Sequence, residues 1–232
     1  MIDIIIPYRH SNTDELRMTL RSIEMYFPPA HIIISGDVPI WAMNVTEIHN
    51  ERRYMPAQLD CEMNIYKALD KVIGDDFYLW NDDFMLLKPM KQIKHYYEGA
   101  IRNVTNDKLK YPMTAPSGTD LIATELWLLS HGYIENKAYT LHIPVKYNVA
   151  KYRKMSELIQ PVLHEQTILP RTIYGNMYDV GGTQRHDCKI YFDDQLILDD
   201  KFVATWDETW NGFAGDEIHR MFPNVSKYER GA

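Results

Sequence analysis

Two stretches of sequence decide the fold: Ile-Asp-Ile-Ile-Ile-Pro-Tyr-Arg at residues 2–9 and His-Ile-Ile-Ile-Ser-Gly-Asp at residues 31–37. Each contains a short β-branched run followed by a proline or a glycine, which is typical of a buried strand. Between them, apolar residues recur at helical spacing over residues 16–27, and Asn12 with Glu15 is expected to form a capping box. Strand, helix and strand in this order predict a βαβ unit with a right-handed crossover.

The alternation of strands and helices continues to residue 83. Pro56 opens a second helix, which Gly74 ends. The apolar run at residues 77–80 predicts a further strand, and Asn-Asp-Asp follows it at residues 81–83. We therefore expect an α/β fold with a mostly parallel sheet flanked by helices.

The second half of the chain has a less regular pattern. Helices are expected at residues 91–102, 119–131, 150–160 (ended by Pro161) and 215–221, and a strand is expected at residues 201–205. The aspartate pairs at residues 193–194 and 199–200 are typical of solvated hairpin ends, and a loose tail is expected after residue 221. At this length, a single domain over residues 1–232 is the default expectation.

The composition excludes some classes of protein. The chain has 232 residues, with 25 Lys and Arg against 32 Asp and Glu, so its net charge is −7. This acidic balance disfavours a protein that coats nucleic acid, because phosphate binding needs a basic face. With 45% hydrophobic residues the chain is not expected to be disordered.

The cysteines and the apolar runs bear on the compartment. Cys61 and Cys188 are the only cysteines, and two widely spaced thiols do not make a disulfide framework, so a reducing compartment such as the cytoplasm is expected. No apolar run approaches the ~20 residues that a membrane helix needs. The chain begins directly with the first strand pattern, so we expect neither a signal peptide nor a membrane span.

Polar residues follow all three predicted strands of the first half. They are Tyr8-Arg9, Asp37 and Asn81-Asp82-Asp83. In open parallel sheets, ligands bind beyond the carboxyl ends of the strands. Carboxylate and amide oxygens on a tight turn suit Mg²⁺ or Mn²⁺, which would neutralise a diphosphate; the alternative is a solvated acidic turn. Arg9, Arg52 and Arg53 are candidates for phosphate or base contacts.

This order of elements resembles the nucleotide-binding half of GT-A glycosyltransferases, in which an Asp-x-Asp motif follows a strand. Here residues 81–83 match that motif, with Asn at the first position. The resemblance implies a metal-dependent transfer from a nucleotide diphosphate sugar to an unknown acceptor. By family habit, it implies uridine as the base of the donor. It also implies that residues 1–90 bind the nucleotide and that residues 91–232 form the acceptor side.

The resemblance further implies roles for single residues. Asp83 would hold Mn²⁺ or Mg²⁺ together with His142, a downstream histidine whose alternative role is a hydrogen bond at a strand edge. The contacts to the nucleotide and its sugar would come from Tyr8, Arg9, Asp37, Asn64, Asn81 and Asp82.

The sequence is similar to two narrower groups as well. Residues 14–24 and 36–41, with the Asn-Asp-Asp turn, resemble the second conserved region of Stealth sugar-phosphate transferases. The chain departs from that family at residues 7–10, where Trp-Val and Asp-Gly are usual. Residues 213–215 and 222–229 are similar to short predicted glycosyltransferases of bacteriophages, which implies the cytoplasm of a bacterial cell or of a phage-infected host.

A catalytic base is less clearly marked. Asp120 precedes a predicted helix, where it is a candidate base or only a cap. Asp207 is an equal candidate, because it lies between Trp206 and Trp210, whose rings either stack on a sugar or pack in the core.

Three alternatives stay open from the sequence. The first is sugar-1-phosphate transfer as in the Stealth family, in which the acceptor attacks phosphorus. The second is a non-catalytic nucleotide-sugar-binding module, which the Asn at position 81 allows. The third is a phage enzyme that glycosylates a DNA base, which needs a basic groove beside the site.

Overall fold

A computed structural model describes residues 1–50, 56–192 and 201–230, with only the backbone of Asp207. Arg52 and Arg53 lie outside the described residues. The aspartate pairs at residues 193–194 and 199–200 lie outside them as well.

Eleven named strands and eight α-helices make up the described part of the chain. The strands are β1 (Ile2–Tyr8), β2 (Ala30–Gly36), β3 (Thr46–His49), β4 (Asp76–Leu79), β5 (Phe84–Leu86), β6 (Tyr96–Tyr97), β7 (Gly99–Ala100), β8 (Lys137–Ala138), β9 (Val145–Asn148), β10 (Thr183–Gln184) and β11 (Phe202–Ala204). The helices are α1 (Glu15–Tyr26), α2 (Ala57–Ala68), α3 (Ile101–Lys108), α4 (Ala115–Ser130), α5 (Val149–Leu163), α6 (Pro170–Met177), α7 (Asp207–Trp210) and α8 (Phe213–Met221). A 3₁₀ turn at Leu69–Lys71 follows α2.

The central sheet has five strands in the order β3-β2-β1-β4-β9. The first four are parallel, and β9 pairs antiparallel with β4 at the edge. The predicted α/β fold with a mostly parallel sheet flanked by helices is therefore confirmed. None of the described helices has the length and apolar character that a membrane crossing requires.

The three inner strands of the central sheet, β2, β1 and β4, are buried on both faces, and their alternate residues point to opposite sides. Ile5, Ile33 and Phe77 pack on one face, under α2 and α5. Ile4 and Ile34 pack on the other face, against α1. Burial on both sides explains why these strands read as continuous apolar runs rather than as an alternating pattern.

Three expectations about local structure are wrong. Residues 91–102 are not a helix: they contain β6 and β7, and α3 begins only at Ile101. Pro161 does not end α5, which continues to Leu163. Asn12 does not cap α1, because Asp14 occupies that position and no side-chain cap bond is formed there.

The expected loose tail after residue 221 is also wrong. The main chain of Ala42 forms a β-bridge with Glu229, and Met43 N–H donates to the Tyr228 carbonyl at 2.9 Å. Tyr228 and Glu229 are buried. The last described residues therefore return to the loop after β2 and form part of the packed structure.

Gly36 is required at the end of β2, and its replacement by Ala is expected to destabilise the protein. Its φ is +125°, and a Cβ there would lie 2.1 Å from the carbonyl oxygen of Tyr8. We expect Gly36→Ala to lower the free energy of unfolding by about 1–3 kcal/mol in urea titration. Gly74→Ala is the control, because its Cβ would meet its nearest neighbour at an ordinary 3.7 Å. Equal stability of the two variants would contradict this account.

Candidate functional site

The register of the central sheet brings the predicted polar residues to one edge. Tyr8 at the end of β1 pairs with Gly36 at the end of β2, and Asp37 N–H donates to the Tyr8 carbonyl at 2.9 Å. Trp80 N–H donates to the Ile5 carbonyl at 2.9 Å, so the residues after β4 reach the same edge. Parallel strands thus place all three polar segments at their common carboxyl end, as expected.

A large cleft opens at this edge, with a volume of about 950 Å³. We call it the acidic cleft, and it is lined by Arg9, His10, Ser11, Asn12, Thr13, Glu15, Asn81, Asp82, Asp83, Lys189, Thr205, Trp206, Glu208 and Asn211. A neighbouring cavity of about 660 Å³ shares His10, Ser11 and Thr13 with it. This second space, the tyrosine cavity, extends to Tyr8, Asp37 and Trp41.

The tyrosine cavity contains hydrogen-bonding groups held by the backbone. The Asp37 carboxylate accepts a bond from His10 N–H at 2.9 Å, which ties the loop after β1 to the end of β2. The Tyr8 hydroxyl accepts from Ser11 N–H at 3.5 Å. Burial raises the pKa of Tyr8, and the charges of Asp82 and Asp37 act in the same direction. The phenol is therefore neutral at physiological pH.

Asn64 lies behind this cavity rather than in its lining. It is buried, and its side-chain oxygen accepts a bond from Asn50 Nδ2 at 2.6 Å. Its main-chain carbonyl accepts from the Ser35 hydroxyl at 2.9 Å. Because Asn50 lines the tyrosine cavity, Asn64 supports that wall from α2.

The acidic turn after β4 is fixed by the core beneath it. The Thr19 hydroxyl of α1 donates to the Asp82 carbonyl at 2.6 Å, and the Trp80 indole donates to the Phe84 carbonyl at 2.7 Å. Burial raises the pKa of Asp82 well above its usual range, and the charges of Asp83 and Glu15 raise it further. Asp82 therefore favours the neutral form more strongly than a solvated carboxyl does.

Asp83 forms an ion pair with Lys189, at 3.3 Å between Oδ2 and Nζ. The two side chains are only 15% and 14% exposed, and both line the acidic cleft. Lys189 is a functional candidate that the sequence reasoning missed. Since 106 positions separate it from Asp83, no local motif marks the pair.

His142 lies in a different space. The ring Nδ1 of His142 is 2.6 Å from Oδ2 of Asp187, and the main-chain N–H of His142 donates to Oδ1 of Asp187 at 2.8 Å. Burial opposes ionisation of Asp187, but the contacts with His142 outweigh it and lower the pKa of Asp187 to about 2. His142 lines a cavity of about 440 Å³, the histidine cavity, which meets the acidic cleft at Asn81.

The predicted pair of metal ligands does not fit a metal site as these side chains stand. Asp83 is paired with Lys189 in the acidic cleft, whereas His142 is held by Asp187 and lines the histidine cavity. Within residues 1–50, 56–192 and 201–230, no group of three or more His, Cys, Asp or Glu side chains is arranged to hold a metal ion.

Asn81 joins the acidic cleft to the histidine cavity through Arg171. The Arg171 guanidinium donates to Oδ1 of Asn81 at 3.0 Å and to the carbonyls of Leu141 and Ile143 at 3.1 and 3.0 Å. It also lies over the Phe84 ring, 5.2 Å from the centroid. One side chain of α6 therefore connects the acidic turn to the segment before β9.

The two candidate bases are placed differently. Asp120 lies on α4, where its carbonyl accepts from the Thr124 hydroxyl at 2.7 Å and burial raises the pKa of its carboxyl. Among the described lining residues of the three cavities, Asp120 is absent. Asp207 begins α7, and its side chain lies outside the described part of the chain. Trp206 lines the acidic cleft, whereas Trp210 is buried in the core.

The comparisons with known proteins bear on the fold. No family model and no curated protein matches the chain. Among solved structures, the chain is similar to the galactosyltransferase LgtC in complex with donor and acceptor sugar analogues, with 9% identity, a TM-score of 0.53 and 97% of each chain covered. The chain has the fold of LgtC.

A second solved structure is similar over a smaller share. It is the apo-form glycosyltransferase GlyE of Streptococcus pneumoniae TIGR4, with 10% identity and a TM-score of 0.40. The match covers 79% of this chain and 45% of GlyE, so the chain spans less than half the length of GlyE.

Proposed function

We propose that the protein is a glycosyltransferase that transfers a sugar from a nucleotide diphosphate sugar, a UDP-sugar in our proposal, to an acceptor hydroxyl. The observation that carries the proposal is the acidic cleft. It lies at the carboxyl edge of a parallel sheet, between hydrogen-bonding groups on the tyrosine side and the cations Arg9 and Lys189. A nucleoside and a diphosphate need these two kinds of partner at adjacent positions.

We assign the nucleoside to the tyrosine cavity. Asp37 accepts hydrogen bonds from a base or a ribose hydroxyl, and Tyr8 and the wall supported by Asn64 shape the pocket. Asn81 and Asp82 contact the ribose or the transferred sugar from the acidic turn. Trp206, which lines the cleft, offers an aromatic face to a sugar ring.

We assign the acceptor to the histidine cavity, because it meets the acidic cleft at Asn81 and both halves of the chain line it, the second half with residues that include His142 and Arg171. In the transfer, the bond between the anomeric carbon and the diphosphate oxygen breaks, and that oxygen keeps the electron pair. The acceptor oxygen bonds the anomeric carbon and releases its proton to solvent. Asp120 and Asp207 stay predictions as the base that assists this step.

The predicted Mn²⁺ or Mg²⁺ and the division into residues 1–90 and 91–232 also stay predictions. Lys189 and Trp206 of the second half line the acidic cleft, so the donor site draws on both halves. We place the reaction in the reducing cytoplasm of a bacterial cell or a phage-infected host. The two described cysteines, Cys61 and Cys188, are both free thiols, which supports that placement.

A thermal-shift panel of nucleotide sugars, each with Mn²⁺ and with EDTA, tests the proposed function. A ligand at a hundredfold excess over its dissociation constant is expected to stabilise the folded state by about 2.7 kcal/mol, so the melting temperature rises. Adenosine and guanosine diphosphate sugars serve as controls for the uridine assignment. No shift with any nucleotide sugar would contradict the proposal.

Product analysis then separates glycosyl transfer from sugar-1-phosphate transfer. Release of a nucleoside diphosphate supports the proposed reaction, because the anomeric C–O bond has broken. Release of a nucleoside monophosphate would mean that the acceptor attacked phosphorus. Binding without turnover on a broad acceptor panel would favour the non-catalytic module.

A further inference from the structure

We propose that Lys189 supplies the positive charge that stabilises the diphosphate in the acidic cleft, the task that the sequence assigned to a divalent metal ion. This inference rests on the proposed function and deepens it. It makes Lys189 a catalytic residue, because its ammonium group would touch the leaving diphosphate. It also changes the role of Asp83 from metal ligand to a group that positions Lys189.

The first support is the position of the ammonium group. Nζ of Lys189 lies 3.3 Å from Oδ2 of Asp83, in the lining of the cleft that also contains Arg9. An ammonium group has three N–H donors, and the described bond to Asp83 uses one of them. A lysine is a compact point charge that binds phosphate oxygens well.

The second support is that the fold, and not a free loop, places Lys189 beside the acidic turn. Phe84 pairs with Ala204 across β5 and β11, and Ala204 forms a β-bridge with Lys189. Ile190 N–H donates to the Ala204 carbonyl at 2.9 Å. Three chain segments therefore lie side by side, with β11 in the middle. Lys189 and Phe84, the residue after Asp83, lie on either side of Ala204.

The flanking residues keep this segment in place. Cys188 and Ile190, on either side of Lys189, are buried in the core. The stem of Lys189 is itself only 14% exposed, so few rotamers are open to its side chain. A charge held in this way needs little reorganisation when a diphosphate binds, which is the condition for strong electrostatic stabilisation.

The third support is the poor fit of the oxygen donors to a metal ion. Asp83 is already paired with the ammonium group of Lys189, at 3.3 Å between Oδ2 and Nζ. His142, the remaining predicted ligand, is bound to Asp187 and lines the histidine cavity. A metal would have to compete with Lys189 for Asp83.

Calorimetric titration with UDP, with EDTA throughout and in parallel with Mn²⁺, tests the inference. We expect wild-type protein to bind UDP in EDTA and Lys189→Met to weaken binding about 10- to 100-fold, since a bond to a charged group is lost. Lys189→Arg keeps the charge and is expected to stay within about tenfold of wild type. Lys71→Met is the matched control, because Lys71 is exposed and lies at the end of the 3₁₀ turn before β4, away from the carboxyl edge.

Asp83→Asn distinguishes diphosphate binding by Lys189 from metal binding by Asp83. If Lys189 binds the diphosphate, Asp83→Asn retains UDP binding in EDTA, because the competing carboxylate has gone. If Asp83 holds a metal, the same change abolishes binding. The double variant Asp83→Asn, Lys189→Met removes both charges of the ion pair, so it leaves no unpaired carboxylate at position 83. Its UDP affinity, compared with that of Asp83→Asn, measures the contribution of Lys189 even where Lys189→Met alone folds poorly.

The outcomes distinguish failure of the role proposed for Lys189 from failure of the proposed function. UDP binding in EDTA that falls with Lys189→Met and survives Asp83→Asn supports the role of Lys189. Binding that requires Mn²⁺ and disappears with Asp83→Asn would overturn that role and leave the proposed function intact. Failure of wild-type protein to bind UDP or any other nucleoside diphosphate, with Mn²⁺ or without it, would overturn both.

Discussion

Replacing Glu229 with Gln is expected to lower the free energy of unfolding by about 3–5 kcal/mol, because it removes a fully buried carboxylate that is the counter-charge of two partly buried guanidinium groups. The Glu229 side chain is fully buried, and its carboxylate accepts bonds from Arg21 at 2.8 and 2.9 Å and from Arg17 at 2.9 Å. The backbone and hydroxyl of Ser226 donate to it as well, at 3.0 and 2.9 Å. Urea unfolding at neutral pH measures the effect.

The Glu229 cluster also makes the free energy of unfolding depend on pH. Burial opposes ionisation of Glu229, but the bonds from Arg21, Ser226 and Arg17 outweigh it and lower its pKa from 4.5 to about 2. Because the folded pKa lies below the ordinary one, the contribution is present above about pH 4.5 and is lost as the pH falls toward 2. The variant is therefore expected to approach wild-type stability in strong acid.

Glu217→Gln is the control for Glu229→Gln. Glu217 pairs with Arg220 on the surface of α8, where side-chain exposures are 30% and 65%. An exposed pair of this kind contributes at most about 1 kcal/mol. Equal losses for the two variants, or a loss at Glu229 that does not diminish in acid, would contradict the buried-pair account.

The Glu229 cluster also reaches the proposed nucleoside site. Arg17, which Glu229 holds, lies 4.0 Å above the Trp41 ring, and both side chains line the tyrosine cavity. Arg230 N–H donates to the Trp41 carbonyl at 2.7 Å. Residues 222–230 therefore stabilise one wall of that cavity, which gives a structural reason for a segment whose sequence pattern predicts a loose tail.

The first half of the fold is predictable because its signals are local. Continuous β-branched runs at residues 4–6 and 32–34, with a helical pattern between them, predict β1, α1 and β2 within a few residues. The register of parallel strands then requires Tyr8, Asp37 and the acidic turn to meet at one edge. Local pattern and general topology together suffice for this part of the site.

The second half depends on pairings that a local pattern does not contain. The stretch at residues 91–102 has helix-like spacing, but Tyr96 and Tyr97 pair with Thr183 and Gln184, far along the chain. Gly99 and Ala100 pair with Ala138 and Lys137. These long-range ladders override local propensity, and a single sequence gives no sign of them.

The candidate site is likewise predictable only where its signals are local. Acidic residues after a strand point to the cleft, but the partners that define their chemistry come from elsewhere. Lys189 reaches Asp83 through the β5–β11 ladder, and Asp187 of the same segment holds His142. Neither Asp187 nor Lys189 belongs to a recognisable sequence motif, so only the packed structure identifies their partners.

Arg171→Met is expected to cost about 3 kcal/mol in the free energy of unfolding and to reduce turnover about 100-fold. The change leaves the carbonyls of the buried residues Leu141 and Ile143, and Oδ1 of Asn81, without the bonds that Arg171 donates. Loss of the bond to Asn81 also frees one end of the acidic turn, and a displacement of about 1 Å in a reacting group can cost 100-fold in rate. Urea unfolding and steady-state release of nucleoside diphosphate are the two measurements.

Further variants separate the role of Arg171 in positioning from its role in stability. Arg153→Met is the control, because Arg153 pairs with the exposed Asp70 at 2.8 Å and stands over the Tyr66 ring, so a loss below about 1 kcal/mol and unchanged turnover are expected. Asn81→Ala removes the acceptor on the acidic turn but leaves both carbonyl bonds of Arg171. Because Asn81 is also proposed to contact the sugar, the double variant decides: if Arg171 positions the turn through Asn81, adding Arg171→Met to Asn81→Ala lowers turnover little further. Full turnover by folded Arg171→Met protein would show that the Asn81 contact has no part in the reaction.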